Sequence, residues 1–97
     1  MGENKEPQPL FEMGEIYLTL LAQEYFHSAD HNAGDLILRH ALGDWEHMHE
    51  ESRKFNTDSL TTGAEVVSYF TLDDGQVIII RTEPGGTHTT VMLPEDA

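Results

Sequence analysis

The stretch that decides the fold runs from Val66 to Ile80 and reads VVSYFTLDDGQVIII. β-branched and aromatic residues dominate both of its ends, and such residues favour strands. Between them lies Asp73-Asp74-Gly75, which is typical of a tight turn because glycine readily adopts the left-handed backbone conformation. The pattern therefore predicts an antiparallel β-hairpin.

A third strand is predicted after this hairpin. Pro84-Gly85-Gly86 marks another turn, and residues 87–93, THTTVML, alternate as a strand does. The last third of the chain is therefore expected to form a three-stranded antiparallel meander. Residues 77–80 are apolar at every position, which predicts a central strand covered by helices on one face and by a partner on the other.

Before the hairpin, the sequence predicts one short strand and three helices. The strand is expected at about residues 15–18, and apolar residues at helical spacing predict helices at about 20–29, 33–42 and 48–61. Thr19 should cap the first helix, while Gly43 and Gly63 should end the second and third. The apolar residues expected to face the core are Leu20, Leu21, Tyr25, Leu36, Ile37, Leu38, Ala41, Leu42, Phe55 and Leu60.

The length of 97 residues suits a single domain. We expect a flexible tail at residues 1–9 and one α+β domain at 10–97, with the meander packed on the helices and the first strand at the sheet edge. The chain has no cysteine, which excludes disulfides and suits a reducing compartment. The polar start lacks the apolar segment of a secretory signal, so the expected location is the cytoplasm, without membrane insertion.

Charge restricts the class of partner. Lys and Arg number 5 against 18 Asp and Glu, which gives a net charge of −13. Direct binding to nucleic acid is disfavoured, because it depends on cationic side chains that displace counterions from the phosphates. The charge favours solubility, or alternatively an anionic surface that mimics nucleic acid and occupies the basic groove of a DNA-binding enzyme.

Two histidine patterns could hold a metal. His27 and His31 are four residues apart, and His47-x-His49 is followed by Glu50 and Glu51. The first pair is interrupted by the expected end of a helix, and the second lies at a loop-to-helix junction where such residues are ordinary surface. We therefore predict neither a metal nor another cofactor.

A hydrolase would draw on Ser68, His40 and Asp44. Ser68 lies in the middle of a predicted strand, without the glycine-framed turn that exposes a nucleophilic serine. The sequence therefore predicts no catalytic residues.

The segment from Arg39 to Trp45, RHALGDW, brings together a cation, an imidazole, a carboxylate and the single tryptophan. One interpretation is a helix end, in which Asp44 caps the element that follows and Trp45 anchors the core. The other is a recognition surface, because Trp and Arg are favoured at protein interfaces. Arg39, His40, Asp44 and Trp45 are therefore the predicted binding residues. The expected partner is another protein, and a free sheet edge would also allow two copies to pair.

Short stretches between residues 10 and 96 together resemble small proteins carried on bacterial plasmids and integrative conjugative elements. They are Leu10-Phe11, Gly14, Thr19, Leu36, Arg39-His40, Gly43-Asp44-Trp45, Asn56, Gly63, Ser68-Tyr69, Gly75, Thr82-Glu83, Thr89-Thr90 and Leu93-Pro94-Glu95. The chain differs from that group at Glu46, Ile79 and Gly85-Gly86. The resemblance implies a mobile-element context and a shared fold, and it implies no reaction. Glu83, one of the matching residues, is also a predicted binding residue.

The predicted function is that of a non-enzymatic acidic accessory protein of a bacterial mobile element, which acts by binding another protein. Two alternatives stay open. One is a DNA-mimicking inhibitor of restriction or a related defence enzyme, and the other is a small hydrolase or metal-dependent enzyme.

Overall fold

A computed structural model describes residues 8–97 and confirms the α+β class. The predicted tail at residues 1–9 lies outside the described residues except for Gln8 and Pro9. Single-turn 3-10 helices lie at Pro84–Gly86 and Pro94–Asp96. The main elements are β1 (Glu15–Leu18), α1 (Leu20–Ser28), α2 (Ala33–Ala41), α3 (Glu50–Thr62), β2 (Val66–Thr71), β3 (Val77–Thr82) and β4 (His88–Met92).

The strands form one mixed sheet in the order β1-β4-β3-β2. The predicted hairpin is confirmed, because β2 and β3 pair antiparallel with Val66 opposite Thr82, and β4 continues antiparallel to β3. The predicted antiparallel meander is only part of the sheet. The first strand lies at the sheet edge as expected, but it makes the sheet mixed, because β1 pairs parallel with β4, with Glu15 opposite His88. A parallel neighbour requires a long crossover, and α1, α2, α3, β2 and β3 all lie between the two strands in the sequence.

The turn of the hairpin is held by hydrogen bonds within residues 72–76. The Gly75 N–H donates to the Leu72 carbonyl at 2.8 Å, and the Leu72 N–H donates to the Gln76 carbonyl at 2.9 Å. Gly75 has a φ of +89°, which confirms the left-handed residue that the turn pattern required.

Helices α1 and α2 pack on one face of the sheet, here called the inner face. The opposite face is called the outer face. The buried apolar cluster on the inner face consists of Ala22, Leu36, Phe70, Ile78, Ile80, Val91 and Leu93. It joins one small residue from α1 and one leucine from α2 to three strands and the segment after β4. Burial of these side chains is the main force that holds the helices to the sheet.

Several residues predicted to face the core are exposed instead. Leu20 is 69% exposed, and Leu21, Leu38, Phe55 and Leu60 are also on the surface. In α3 the buried residues are Asn56 and Ser59, because this helix lies beside the edge of β2. Apolar periodicity predicted the helix correctly but predicted the wrong buried face. A helix at a sheet edge can bury polar side chains that hydrogen-bond the backbone of the edge strand, as well as apolar side chains.

The predicted helix ends are close to the observed ones. The Thr19 hydroxyl accepts a hydrogen bond from the Ala22 N–H at 3.1 Å, which confirms the cap of α1. Gly43 and Gly63, with φ of +73° and +80°, follow α2 and α3 as expected. Helix α3 begins two residues later than predicted. Across residues 8–97 we find no helix with the length and apolar character needed to cross a bilayer.

The segment before β1 crosses the β3–β4 connection at close range. A Cβ on Gly14 would lie 2.3 Å from the Thr87 carbonyl oxygen, and one on Gly86 would lie 2.5 Å from the Glu12 carbonyl oxygen. Both glycines have positive φ, so a side chain would be strained as well as crowded. The crossing places the Met13 carbonyl at the end of the inner face.

The free edge of β2 is covered by side chains. The Asn56 amide donates to the Val67 carbonyl at 2.7 Å and accepts from the Val67 N–H at 3.0 Å, so it replaces a neighbouring strand at that position. The His47 Nε2 donates to the Tyr69 carbonyl at 2.6 Å. Such coverage protects an edge strand from pairing with other chains.

Replacing Asn56 with alanine should destabilise the fold by about 1.5 kcal/mol, because the Val67 N–H and carbonyl both lose their partner while water can reach part of the edge. Urea unfolding followed by the fluorescence of Trp45 measures this. The exposed Lys54→Ala, on the same helix, is the control and should change the free energy by less than about 0.5 kcal/mol. Equal midpoints for Asn56→Ala and Lys54→Ala would show that the edge contact contributes nothing.

Candidate functional site: a buried histidine network

A chain of hydrogen-bonded polar side chains lies beneath the inner face. His40 comes from the last turn of α2, Trp45 from the loop after it, and Ser68, Thr82 and Thr89 from three adjacent strands. All five are buried, and His40 is 0% exposed. The network is therefore built by α2 and the whole antiparallel part of the sheet.

His40 is bonded through both ring nitrogens. Nδ1 lies 2.6 Å from the Ser68 Oγ, and Nε2 lies 2.9 Å from the Thr82 Oγ1. Beyond Ser68, the Trp45 indole N–H donates to the same Oγ at 2.8 Å. Beyond Thr82, the Thr89 Oγ1 lies 2.7 Å from the Thr82 hydroxyl and donates to the Met13 carbonyl at 2.7 Å.

The Met13 end of the network fixes the hydrogen-bond directions from Thr89 back to the His40 Nε2, and the Trp45 end makes Ser68 an acceptor. An indole N–H can only donate, and a carbonyl oxygen can only accept. The single proton of Thr89 goes to Met13, so the Thr82 hydroxyl must donate to Thr89 and accept from the His40 Nε2–H. The His40 Nε2 therefore carries a proton. Because burial lowers the pKa of His40 to about 4, the ring is neutral at neutral pH, and its bare Nδ1 accepts the Ser68 proton.

This arrangement opposes protonation of His40. Burial lowers the pKa of His40 from its ordinary 6.5 to about 4, because the imidazolium would lose its hydration. A second proton on Nδ1 would also point at the Ser68 Oγ, which already accepts from Trp45, and would displace the Ser68 proton from its acceptor. The network therefore holds a neutral imidazole at neutral pH.

Ser68 and His40 have the spacing of a nucleophile and its base, but their surroundings differ from those of a hydrolase. A catalytic histidine is oriented by a carboxylate that stabilises the imidazolium, whereas His40 donates to the neutral hydroxyl of Thr82. Ser68 and His40 are both 0% exposed, so a substrate carbonyl has no approach to the Oγ in this conformation. The buried pair thus joins α2 to β2 through one hydrogen bond.

Asp44 lies away from this pair. Its carboxylate accepts from the Arg39 Nε at 2.6 Å, and both side chains are partly exposed. The predicted capping of the following helix by Asp44 was wrong, because His49 occupies the N-cap of α3. The Arg39 guanidinium lies 4.6 Å from the centre of the Phe70 ring, and the His47 ring stacks on Phe70 at 5.1 Å. Arg39 and His47 thus cover the aromatic core from the surface.

The structure therefore divides the predicted binding residues into three groups. His40 and Trp45 are interior, since Trp45 is buried as a core anchor. Arg39 and Asp44 form a surface ion pair. Glu83 lies elsewhere, with its carboxylate 3.2 Å from the Arg81 Nε. Their role in binding stays a prediction.

A cavity of about 240 Å³ opens between the segment before β1, the end of α3 and the β3–β4 connection. Leu10, Phe11, Leu60 and Val66 supply apolar walls, and Glu83 is one of its polar residues. The Phe11 ring stands edge-on to His40 at 5.2 Å, and His40 is not part of the lining. The volume is below the roughly 300–1,000 Å³ of most small-molecule sites.

The histidine pairs considered as metal ligands have other surroundings. Helix α1 ends at Ser28, between His27 and His31. His47 donates to the Tyr69 carbonyl and stacks on Phe70. In the part of the chain that the structure describes, no group of three or more His, Cys, Asp or Glu side chains is placed to hold a metal ion.

Thr82 and Thr89 are the network residues that the sequence interpretation missed. Each lies two residues from a buried apolar residue of its own strand and so on the same face of the sheet. Thr82 comes two residues after Ile80, and Thr89 comes two residues before Val91. Ser68 lies likewise between Val66 and Phe70. Each of three successive strands therefore carries a hydroxyl residue at an inner-face position. This pattern could have predicted a buried polar network from the sequence.

Known proteins offer three kinds of comparison for this chain: protein-family models, curated proteins and solved structures. None of the three found a match to the chain.

Proposed function

We propose that this chain is a non-enzymatic, acidic protein-binding domain, and that it serves as an accessory protein of a bacterial mobile element. The observation that carries the binding role is the state of the His40 network. The network contains the histidine and serine best suited to catalysis. These side chains are buried and are hydrogen-bonded within the network at 2.6–2.9 Å. The mobile-element context rests on the resemblance described above.

The surplus of negative charge supports contact with a cationic protein. Even if all 5 Lys and Arg were paired with one carboxylate each, 18 minus 5 leaves 13 Asp and Glu unmatched. Arg39, Lys54 and Arg81 are already engaged in ion pairs with carboxylates. A surface of this charge attracts basic partners over about a Debye length. This electrostatic attraction weakens as salt is added.

The proposal is tested by affinity capture with the full chain from a nuclease-treated bacterial lysate, at low and at high salt. We expect one or more basic proteins to be retained at low salt and released at high salt, because the attraction is largely electrostatic. A screen with ester, peptide and nucleotide substrates is run in parallel. Turnover that disappears in His40→Gln, under conditions where circular dichroism shows the variant folded, would contradict the proposal.

A further inference from the structure

The outer face of the sheet carries an apolar band in which two residues reach the surface, while Ile79 between them is only 9% exposed. Tyr69, Ile79 and Met92 lie side by side in register on β2, β3 and β4. The apolar contacts of α1 and α2 go to the inner face, and Tyr69 is 46% exposed. The band therefore crosses three strands on the side of the sheet that the helices leave open.

Helix α3 extends this band at the edge of β2. Phe55, 47% exposed, lines a depression of about 240 Å³ together with Val67 and Tyr69. Glu51 and Glu65 belong to the same depression. Aromatic rings beside carboxylates suit a side chain with an apolar stem and a cationic end, such as Arg or Lys.

The charges on this side are predominantly negative. Arg81, on the outer face of β3, has one guanidinium nitrogen 2.7 Å from Glu65 and another 3.2 Å from Glu83. Its positive charge is thus matched by two carboxylates, and Glu51 and Glu15 add further negative charge at α3 and β1. A second copy of this chain, also with a net charge of −13, would be repelled from such a face.

From this geometry we infer that the outer face binds a basic protein segment. The segment's apolar side chains pack on Tyr69 and Met92, which flank the largely buried Ile79. One Arg or Lys side chain enters the depression between Phe55 and Tyr69, with its charge toward Glu51. The inference rests on the proposed function and specifies its surface and the chemistry of its partner.

Two synthetic peptides of equal charge test this inference, one alternating Arg with Leu and the other alternating Arg with Ser. Each carries a fluorophore, and its binding to the full chain is measured by anisotropy at fixed salt. The Arg-Leu peptide is expected to bind at least about tenfold more tightly, because only it can bury apolar side chains on the band. Equal binding of the two peptides, or no binding of either, would overturn the inference.

Matched variants locate the binding site. Phe55→Ala should lower the affinity for the Arg-Leu peptide about tenfold. Glu51→Gln should lower it about threefold, the effect expected for loss of a partly exposed ion pair. The controls are Leu38→Ala on α2, which is 50% exposed, and Glu24→Gln on α1; each should change the affinity less than twofold. All four side chains are on the surface, so the variants should fold. Equal losses in Phe55→Ala and Leu38→Ala would overturn the inference.

Other occupants give different results. Sedimentation that shows a dimer, reduced to monomer by Phe55→Ala, would assign the face to a second copy and contradict the inference. Binding that depends on peptide charge alone and is competed by DNA-binding proteins would favour nucleic-acid mimicry and also contradict it. If capture from lysate succeeds and Phe55→Ala leaves it unchanged, the proposed function stands while this surface is rejected.

Discussion

Replacement of His40 by alanine is expected to destabilise the fold by about 4 kcal/mol. The substitution removes a fully buried ring and leaves a cavity, and it deprives the Ser68 hydroxyl of its acceptor and the Thr82 hydroxyl of its donor. Such a loss is a large part of the 5–15 kcal/mol that stabilises most domains. Urea or thermal unfolding, followed through Trp45, measures it directly.

The control for this variant is His27→Ala, which removes an exposed imidazole and should change stability by less than about 0.5 kcal/mol. Ser68→Ala provides an independent check, because it leaves the Trp45 N–H and the His40 Nδ1 without their partner. We expect it to cost about 2 kcal/mol. If the free energies of unfolding of His40→Ala and His27→Ala agree within experimental error, the network does not stabilise the fold.

Stability should also fall on mild acidification, with His40 as the cause. The pKa of His40 is about 4 in the fold and returns to its ordinary 6.5 on unfolding. The unfolded chain therefore binds the extra proton first, and the stability contributed by neutral His40 is complete above about pH 6.5 and lost as the pH falls toward 4. The loss is about 2 kcal/mol between pH 7.5 and pH 5, and about 3 kcal/mol in full.

The measurement is the free energy of unfolding in urea at several pH values between about 7.5 and 5, for the native chain and His40→Gln. Gln offers a donor and an acceptor without titrating, so the pH dependence should disappear in the variant although its stability is lower. Asp74 does not interfere, because a hydrogen bond from the Gln76 backbone holds its pKa below the ordinary 3.8. Parallel pH profiles for the two proteins would assign the dependence to other groups.

The sequence predicted well what depends on local chemistry. The hairpin around Asp73-Asp74-Gly75 and the caps at Thr19 and Gly63 follow from turn and capping preferences, which act over a few residues. It also identified the segment from Arg39 to Trp45 as unusual, and that segment supplies two members of the network.

The remainder depends on contacts between distant residues. The parallel pairing of β1 with β4 joins Glu15 to His88 across most of the chain, and no local pattern sets it. The burial of Asn56 in place of Phe55 follows from the position of α3 beside β2, which helical periodicity cannot give. His40, Ser68 and Thr82 likewise meet only when α2 packs on the sheet.

The most direct test of the network is the protonation of His40, read by long-range proton–nitrogen NMR from neutral pH down to about pH 4.5. We predict a single neutral Nε2–H tautomer with an unprotonated Nδ1, constant as the pH falls through about 6.5, the pKa of an ordinary imidazole. Titration of His40 with a midpoint near that ordinary value, or a proton on Nδ1 at neutral pH, would contradict a closed network that stabilises the fold and leaves binding to the outer surface.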